Sequence, residues 1–224
     1  MLELVFCSFP VNSMKGVMAS RLEKALQNPD STKARILNAA RRLFGANGFS
    51  DTTTRMIAAG AGIDVSTLHY HWGEKQDLYE GVLAAINEEI LTKFKEVESR
   101  CTGVDLRRRL EIAIDIMCDF LFAHPEVANL ILFGYFRKAD RDAVLDVNVA
   151  HHVSNIAIAM GLAENPALVS VQAKARILAV WNAVLNFISG EAFFRPMMDV
   201  DRRAYQDVVK ETLKFILVPA FTTG

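Results

Sequence analysis

The stretch from Thr52 to Leu78, TTTRMIAAGAGIDVSTLHYHWGEKQDL, constrains what this chain can fold into more than any other. It reads as two short helices joined by a glycine-containing turn, then the start of a third. The first short helix lies near Thr53 to Ala59 and carries Met56 and Ile57. The turn is Gly60-Ala61-Gly62, and Ile63 is the apolar residue that tucks beneath it. Asp64 suits the N-cap of a second helix running to about Trp72, because its carboxylate accepts from a first-turn N–H that the helix leaves unpaired. Leu68 and Trp72 are four apart, so they share a face that packs on the first helix. The opposite face shows Val65, Ser66, Thr67, His69, Tyr70 and His71. One buried stripe backed by small, hydroxyl and imidazole groups suits a DNA major groove.

The run resembles the TetR family of bacterial transcription regulators, whose pattern is roughly IAxxAGVSxGxLYxHFxxKxxL. Ile57-Ala58, Ala61-Gly62-Ile63, Leu68, His71, Trp72, Lys75 and Leu78 fall at that spacing. Upstream, TKARILNAARRLFGANGF, Thr32 to Phe49, resembles the family's first helix and its Gly-aromatic exit. Three positions depart: His69 replaces the usual Tyr, Ser66 the usual Gly and Trp72 the usual Phe. The resemblance implies an all-α chain with an N-terminal helix-turn-helix head of three helices and a C-terminal helical body. It implies that the body binds a small-molecule effector and that the last two long helices form a four-helix dimer interface. It also implies that Lys75 clamps the DNA backbone.

Physical chemistry agrees with the last point, since a helix start has unpaired N–H groups and a positive dipole end that favour a phosphate. A solvated lysine is the plain alternative. Thr53 and Lys33 are further phosphate candidates, Arg55 points away from the Met56–Ile57 packing, and Val65 either touches a thymine methyl or packs at the helix start. His69, Tyr70 and His71 do not make a metal site, because adjacent helical residues diverge by about 100° each. The expected DNA-binding set is therefore Lys33, Thr53, Arg55, Val65, Ser66, Thr67, His69, Tyr70, His71 and Lys75.

Charge distribution is compatible with this. Residues 31–75 hold six Lys/Arg against three Asp/Glu, whereas residues 76–224 hold sixteen against twenty. A mildly basic front and an acidic rear fit DNA at one end. Cys7, Cys101 and Cys118 are odd in number and far apart, which suggests reduced thiols and a cytoplasmic setting rather than a disulfide framework or metal spacing. No apolar run reaches a membrane span, so no membrane partner is expected. MLELVFCSFP lacks a basic n-region and a small-residue cleavage site. Residues 1–29 lie outside the resemblance. Either Met14 or Met18 is the natural start, or a short helix over Ser13 to Gln27 adds Arg21 and Lys24 to the DNA face. Domains are expected at 1–29 (extension), 30–78 (DNA-binding head) and 79–224 (effector-binding and dimerisation body).

About nine helices are expected. The head's first helix starts at Asp30 or Ser31 and ends near Gly45 or Gly48, burying Ile36, Leu37, Ala40, Leu43 and Phe44. A long helix runs from Glu74 to about Ser99, with Leu78, Val82, Ile86, Ile90 and Phe94 repeating every four residues. Further helices span Asp105 to His124, Glu126 to Phe136, Asp140 to about Leu162, Pro166 to Ser189 and Asp201 to Val218. The 166–189 helix is apolar almost all round in its second half, which predicts two buried faces. The last helix shows a stripe of Tyr205, Val208, Val209, Leu213 and Ile216.

An effector cavity is expected among the helices at 105–123, 126–136, 140–162 and 166–189. Met117, Phe133, Phe136, His151, Asn155, Met160, Trp181 and Phe187 are its candidate residues, and their character suggests a lipophilic or aromatic compound. Asn182 and Asn186 are four apart on an apolar helix and would need partners if buried. There is no GxSxG elbow, Walker loop or GxGxxG, so no enzyme, cofactor or metal is expected. The expectation is a homodimeric regulator, acting as a repressor on a palindromic double-stranded operator and released by its effector. The alternative is a helical small-molecule sensor or enzyme with a vestigial DNA-binding head.

Overall fold

The computed structural model describes residues 16–136, 153–158, 160 and 162–222. Eleven helical elements are bounded among them: α1 (Gly16–Gln27), α2 (Thr32–Asp51), α3 (Thr54–Ala61), α4 (Val65–Trp72), α5 (Lys75–Arg100), α6 (Leu106–Ala123), α7 (Pro125–Phe136), a 3-10 turn (Pro166–Leu168), α8 (Val171–Ser189), α9 (Glu191–Met198) and α10 (Arg202–Thr222). Residues 153–158 are helical as well. No strand occurs among the described residues. The all-α expectation holds, and the count of about nine is corrected. Pro196 reads as a breaker yet sits inside the short helix α9. The turn at Pro166 is separated from α8 by a new cap at Ser170, whose side chain accepts from Ala173 N. The helix expected over Asp140 to Leu162 lies largely outside the described residues.

Contacts divide the described chain into two compact units. The head comprises residues 16–89 and 129–136. Ile36, Leu37, Ala40 and Phe44 of α2 are buried as the periodicity predicts, while Leu43 is half-buried. The α2 ladder breaks at Gly48, with φ 75° and ψ 175°. Phe44, Phe49 and Tyr79 then gather into an aromatic cluster with ring centroids 4.9–5.9 Å apart. The Arg41 guanidinium forks onto the Glu89 carboxylate (Nη2–Oε2 2.9 Å), tying α2 to α5. Asn129 Nδ2 donates to Gly45 O at 3.0 Å. Gly81 of α5 permits a close approach: a Cβ there would lie 2.6 Å from the Trp72 ring.

The body comprises residues 90–128 and the described residues beyond 152. Here α6 and α10 pack side by side, joined by Lys210–Asp119 (2.9 Å) and Lys214–Asp115 (2.8 Å). Asp105 caps α6, accepting from Arg108 N. Leu110, Ile114, Met117 and Leu121 of α6 are buried as expected. On α10 the expected stripe is only half right. Tyr205, Val209 and Leu213 are buried, but Val208 and Ile216 are exposed and Leu217 and Val218 fill the core instead. At 100° per residue Ile216 falls on the same face as Tyr205 and Val209, so the change of buried face in the last turns is not set by the helix period. Tyr205 donates its hydroxyl to Phe187 O at 2.7 Å, and burial pushes its pKa up to about 12. Asn182 and Asn186 are exposed and donate to carbonyls four residues back on α8, so their amides are satisfied within the helix.

Candidate nucleic-acid interface

The helix pair α3–α4 is built from caps at both ends. Thr53 caps α3, its hydroxyl accepting from Met56 N at 3.2 Å. Gly62 ends α3 in the left-handed conformation (φ 66°, ψ 43°) and its N–H bonds Ala58 O and Ala59 O, a geometry open to glycine at little cost. Asp64 caps α4 more fully than the sequence suggested. One carboxylate oxygen accepts from Thr67 N and Ser66 Oγ, both at 2.7 Å, and the other from Thr67 Oγ1 at 3.0 Å. These bonds, led by the Thr67 N–H, hold its pKa below the usual aspartate value.

Leu68 and Trp72 of α4 are fully buried, and the indole N–H donates to Lys33 O at 3.1 Å. The outward face carries the residues expected there. Tyr70 is 81% exposed, Ser66 is exposed, and Val65, Thr67, His69 and His71 are partly exposed. The Tyr70 and His71 rings meet edge to face at 5.1 Å. His69 Nδ1 lies 2.9 Å from Gly73 O, so this nitrogen carries the proton. Lys33 Nζ stands 3.2 Å from His71 Nδ1. Because lysine only donates, Nδ1 accepts and His71 is neutral with its proton on Nε2. Burial, then the Lys33 charge, hold the His71 pKa below the usual histidine value.

Arg55 is exposed on α3. Lys75 opens α5, and its ammonium donates to Phe49 O and Thr52 O, both at 2.9 Å, while standing 4.2 Å above the Phe49 ring. It therefore closes the α2–α3 junction and keeps one N–H for another acceptor. The α5 start has a second lock that the sequence reading missed, in which Asp77 accepts from Glu74 N at 3.0 Å. This is the reciprocal half of a capping box, and the acidic residue three positions after Glu74 is its signal.

The body holds a cavity of about 430 Å³. Its walls come from the second half of α5 (Phe94, Val97, Cys101), α6 (Leu110, Ile114, Met117), Ile156, Met160, α8 (Ile177, Val180, Trp181, Val184) and Leu217. Its polar groups, Glu98, Thr102 and Arg109, gather where α5 passes to α6. Of the expected residues, Met117, Met160 and Trp181 line it. Phe133 lies in the head beside Gly48. Asn155 is buried but lies off the lining. Phe187 packs on Phe194 at 6.0 Å instead. His151 and the Phe136 side chain lie outside the described residues. The share of α5 and α10 in the wall was not anticipated, although Phe94 and Val97 stood in the apolar repeat. Among the described residues no cluster of His, Cys, Asp and Glu is disposed to hold a metal. No single helix among them is long and apolar enough to cross a membrane.

Comparison with known proteins gives this geometry a setting. Residues 36–82 match the model of the tetR family of bacterial regulatory proteins. The UidR transcriptional regulator of Escherichia coli K12 is 35% identical over 65 residues, 29% of this chain and 33% of that protein. The chain thus matches about a third of that relative's length. The KstR2 repressor of Mycobacterium tuberculosis is 24% identical over 185 residues, 80% of this chain and 78% of that protein. Among solved structures, the fatty acid degradation regulator FadR from Bacillus halodurans superposes with a TM-score of 0.56 at 16% identity, covering 82% of this chain and 94% of its own. A tetR-family regulator from Streptomyces coelicolor gives 0.57 at 16% identity, covering 90% and 84%. The structural likenesses speak to the fold, and the head carries the sequence match. The capped α3–α4 pair lies inside the matched residues, so the head carries the helix-turn-helix region of the tetR family of bacterial regulatory proteins.

Proposed function

We propose that this chain acts in the cytoplasm as a homodimeric repressor that binds a palindromic operator and is released by a small apolar effector. The observation that carries the DNA-binding reading is the outward face of α4, where Tyr70 stands almost wholly in solvent on a helix anchored by the buried Leu68 and Trp72. An aromatic so exposed on a helix capped at both ends adds little to folding. Residues 64–71 read base edges, and Lys33, Thr53, Arg55 and the remaining N–H of Lys75 contact phosphates. Two heads related by a two-fold axis sit in successive major grooves. Supporting the dimer, Val171, Phe193, Met197, Phe215 and Ile216 on α8, α9 and α10 are large apolar residues in solvent, which a second subunit would cover.

The effector reading rests on the body cavity. Its volume suits a small molecule, and its apolar wall with polar groups at one end fits an elongated apolar compound bearing a single polar head. Such a compound weakens operator binding only if it prefers the DNA-incompetent state, and a preference of about 1–3 kcal/mol shifts affinity about 5–150-fold.

A gel shift against the DNA flanking the chain's own gene, at low and near-physiological salt with random competitor, tests the reading. A discrete complex that survives both is expected. No binding at either salt would instead favour a helical sensor or enzyme with a vestigial head. Thermal-shift screening with apolar and aromatic compounds tests the cavity, and stabilisation that is absent in a Val184→Trp variant is the expected result.

A further inference from the structure

Helix α1 lies wholly before the matched residues 36–82, yet it is built into the head. Met18, Leu22 and Ala25 are buried, and α1 packs on both α2 and α4. Arg21 on its partly exposed face sends Nη1 to Trp72 O at 2.7 Å. Trp72 is the last residue of α4. Its carbonyl is one of the four that a helix end leaves without an intrahelical partner, and a cation there also meets the negative end of the helix dipole. The same residue is fixed through its ring by the Lys33 carbonyl. The last turn of α4 is thereby gripped from two helices that precede the helix-turn-helix. Through this bond Arg21 acts on the recognition helix itself.

We propose that α1 is a fourth element of the DNA-binding head, and that Arg21 is a positioning residue that sets the pose of α4 through the Trp72 carbonyl. The proposal rests on the DNA-binding reading above. Without the staple, α4 samples poses other than the one that fits the groove, and affinity falls in proportion to the population lost. Sequence-specific binding depends on that pose, whereas non-specific binding depends on backbone charge alone.

The test uses the full chain, as wild type, Arg21→Gln and Arg21→Lys. The probes are a duplex recovered by the wild type from a random-sequence pool and an unrelated duplex of equal length. Hydrogen exchange is followed at the amides of residues 65–73. In Arg21→Gln these amides exchange faster while those of α5 and α6 are unchanged, specific affinity falls about 5–20-fold, and affinity for the unrelated duplex holds. Arg21→Lys, which keeps a cationic donor, recovers most of both losses. Unchanged exchange at residues 65–73 in Arg21→Gln overturns the staple, as does faster exchange with intact specific affinity. A general loss of protection, with both affinities falling together, also overturns it, because Arg21 would then serve overall folding alone. If the wild type recovers no duplex, the regulator reading falls, and exchange in the variants still decides whether Arg21 holds α4.

Discussion

Lys75 holds the α2–α3 junction, and under the proposed function it also contacts DNA. Its ammonium reaches Phe49 O and Thr52 O, so removing it leaves two carbonyls at the α2–α3 junction without their donor. Hydrogen bonds from a charged group are worth about 1.5–3 kcal/mol, and Lys75→Ala should lose roughly that in a denaturant melt. It should also weaken binding to every duplex alike and flatten the salt dependence by about one unit of slope. An unchanged melt would show that the carbonyl contacts add nothing net. His71 gives a pH prediction. Its pKa is held below the usual histidine value by burial and by Lys33, so the unfolded chain binds the proton first as pH falls. The stability from neutral His71 is complete above the unfolded value of about 6.5 and is lost as pH drops through the lower folded value. Wild type should therefore lose thermal stability more steeply than His71→Asn between neutral and mildly acidic pH. Parallel curves would argue against it. The spacing of Lys75 was legible in the sequence, but its acceptors were not. They are main-chain oxygens brought together by the break at Gly48, and residue types do not encode them locally.

At the scale of elements, caps did most to make the sequence readable. Asp64 and Trp72 bound α4 as its sequence indicated, because a capping carboxylate and a buried i, i+4 pair are local signals. The same cap yields a prediction. Asp64→Ala removes three acceptor contacts at once and should lower the melting temperature and speed exchange in the first turn of α4, whereas Asp64→Ser should keep most of both. Equal behaviour of the two variants would mean that the cap does not govern the helix start. Where signals were tertiary, reading failed. A helix over Ser13 to Gln27 is one of the two readings of the extension and α1 bears it out, but the surface that buries Met18 and Leu22 is made by α2 and α4. Helix α9 was hidden by Pro196, which a short helix tolerates because little of its ladder is lost. The all-round apolarity of α8 did signal more than one environment. Leu185 and Ile188 are core away from the cavity, while Val180 and Trp181 face it.

For the whole molecule, the exposed apolar array is the feature with the largest expected consequence. Phe215 on α10 is 80% exposed, so it contributes nothing to the fold of its own chain. Phe215→Asp should leave the melt of each unit nearly unchanged, as solvent-facing substitutions usually do, and should shift sedimentation toward the monomer. A variant that stays dimeric would place the interface elsewhere. The ion pairs that join α6 to α10 lie on partly exposed side chains and are expected to add little to stability. The cavity was only partly foreseen, since a void depends on what neighbouring helices fail to fill. Sequence periodicity marked Met117 and Trp181 as inward-facing but could not separate packed core from lining.

The chain contains two tryptophans, and the fold sends one to each unit. Trp72 is sealed in the head with its indole N–H bonded to a carbonyl, while Trp181 borders the cavity. The protein thus carries a separate fluorophore in each of its two units. Trp181→Phe would leave emission from the head alone, so DNA could be followed without interference from an effector. In the parent chain, quenching by a cavity compound would arise at Trp181, and the two signals would record occupancy and head response in one unlabelled sample.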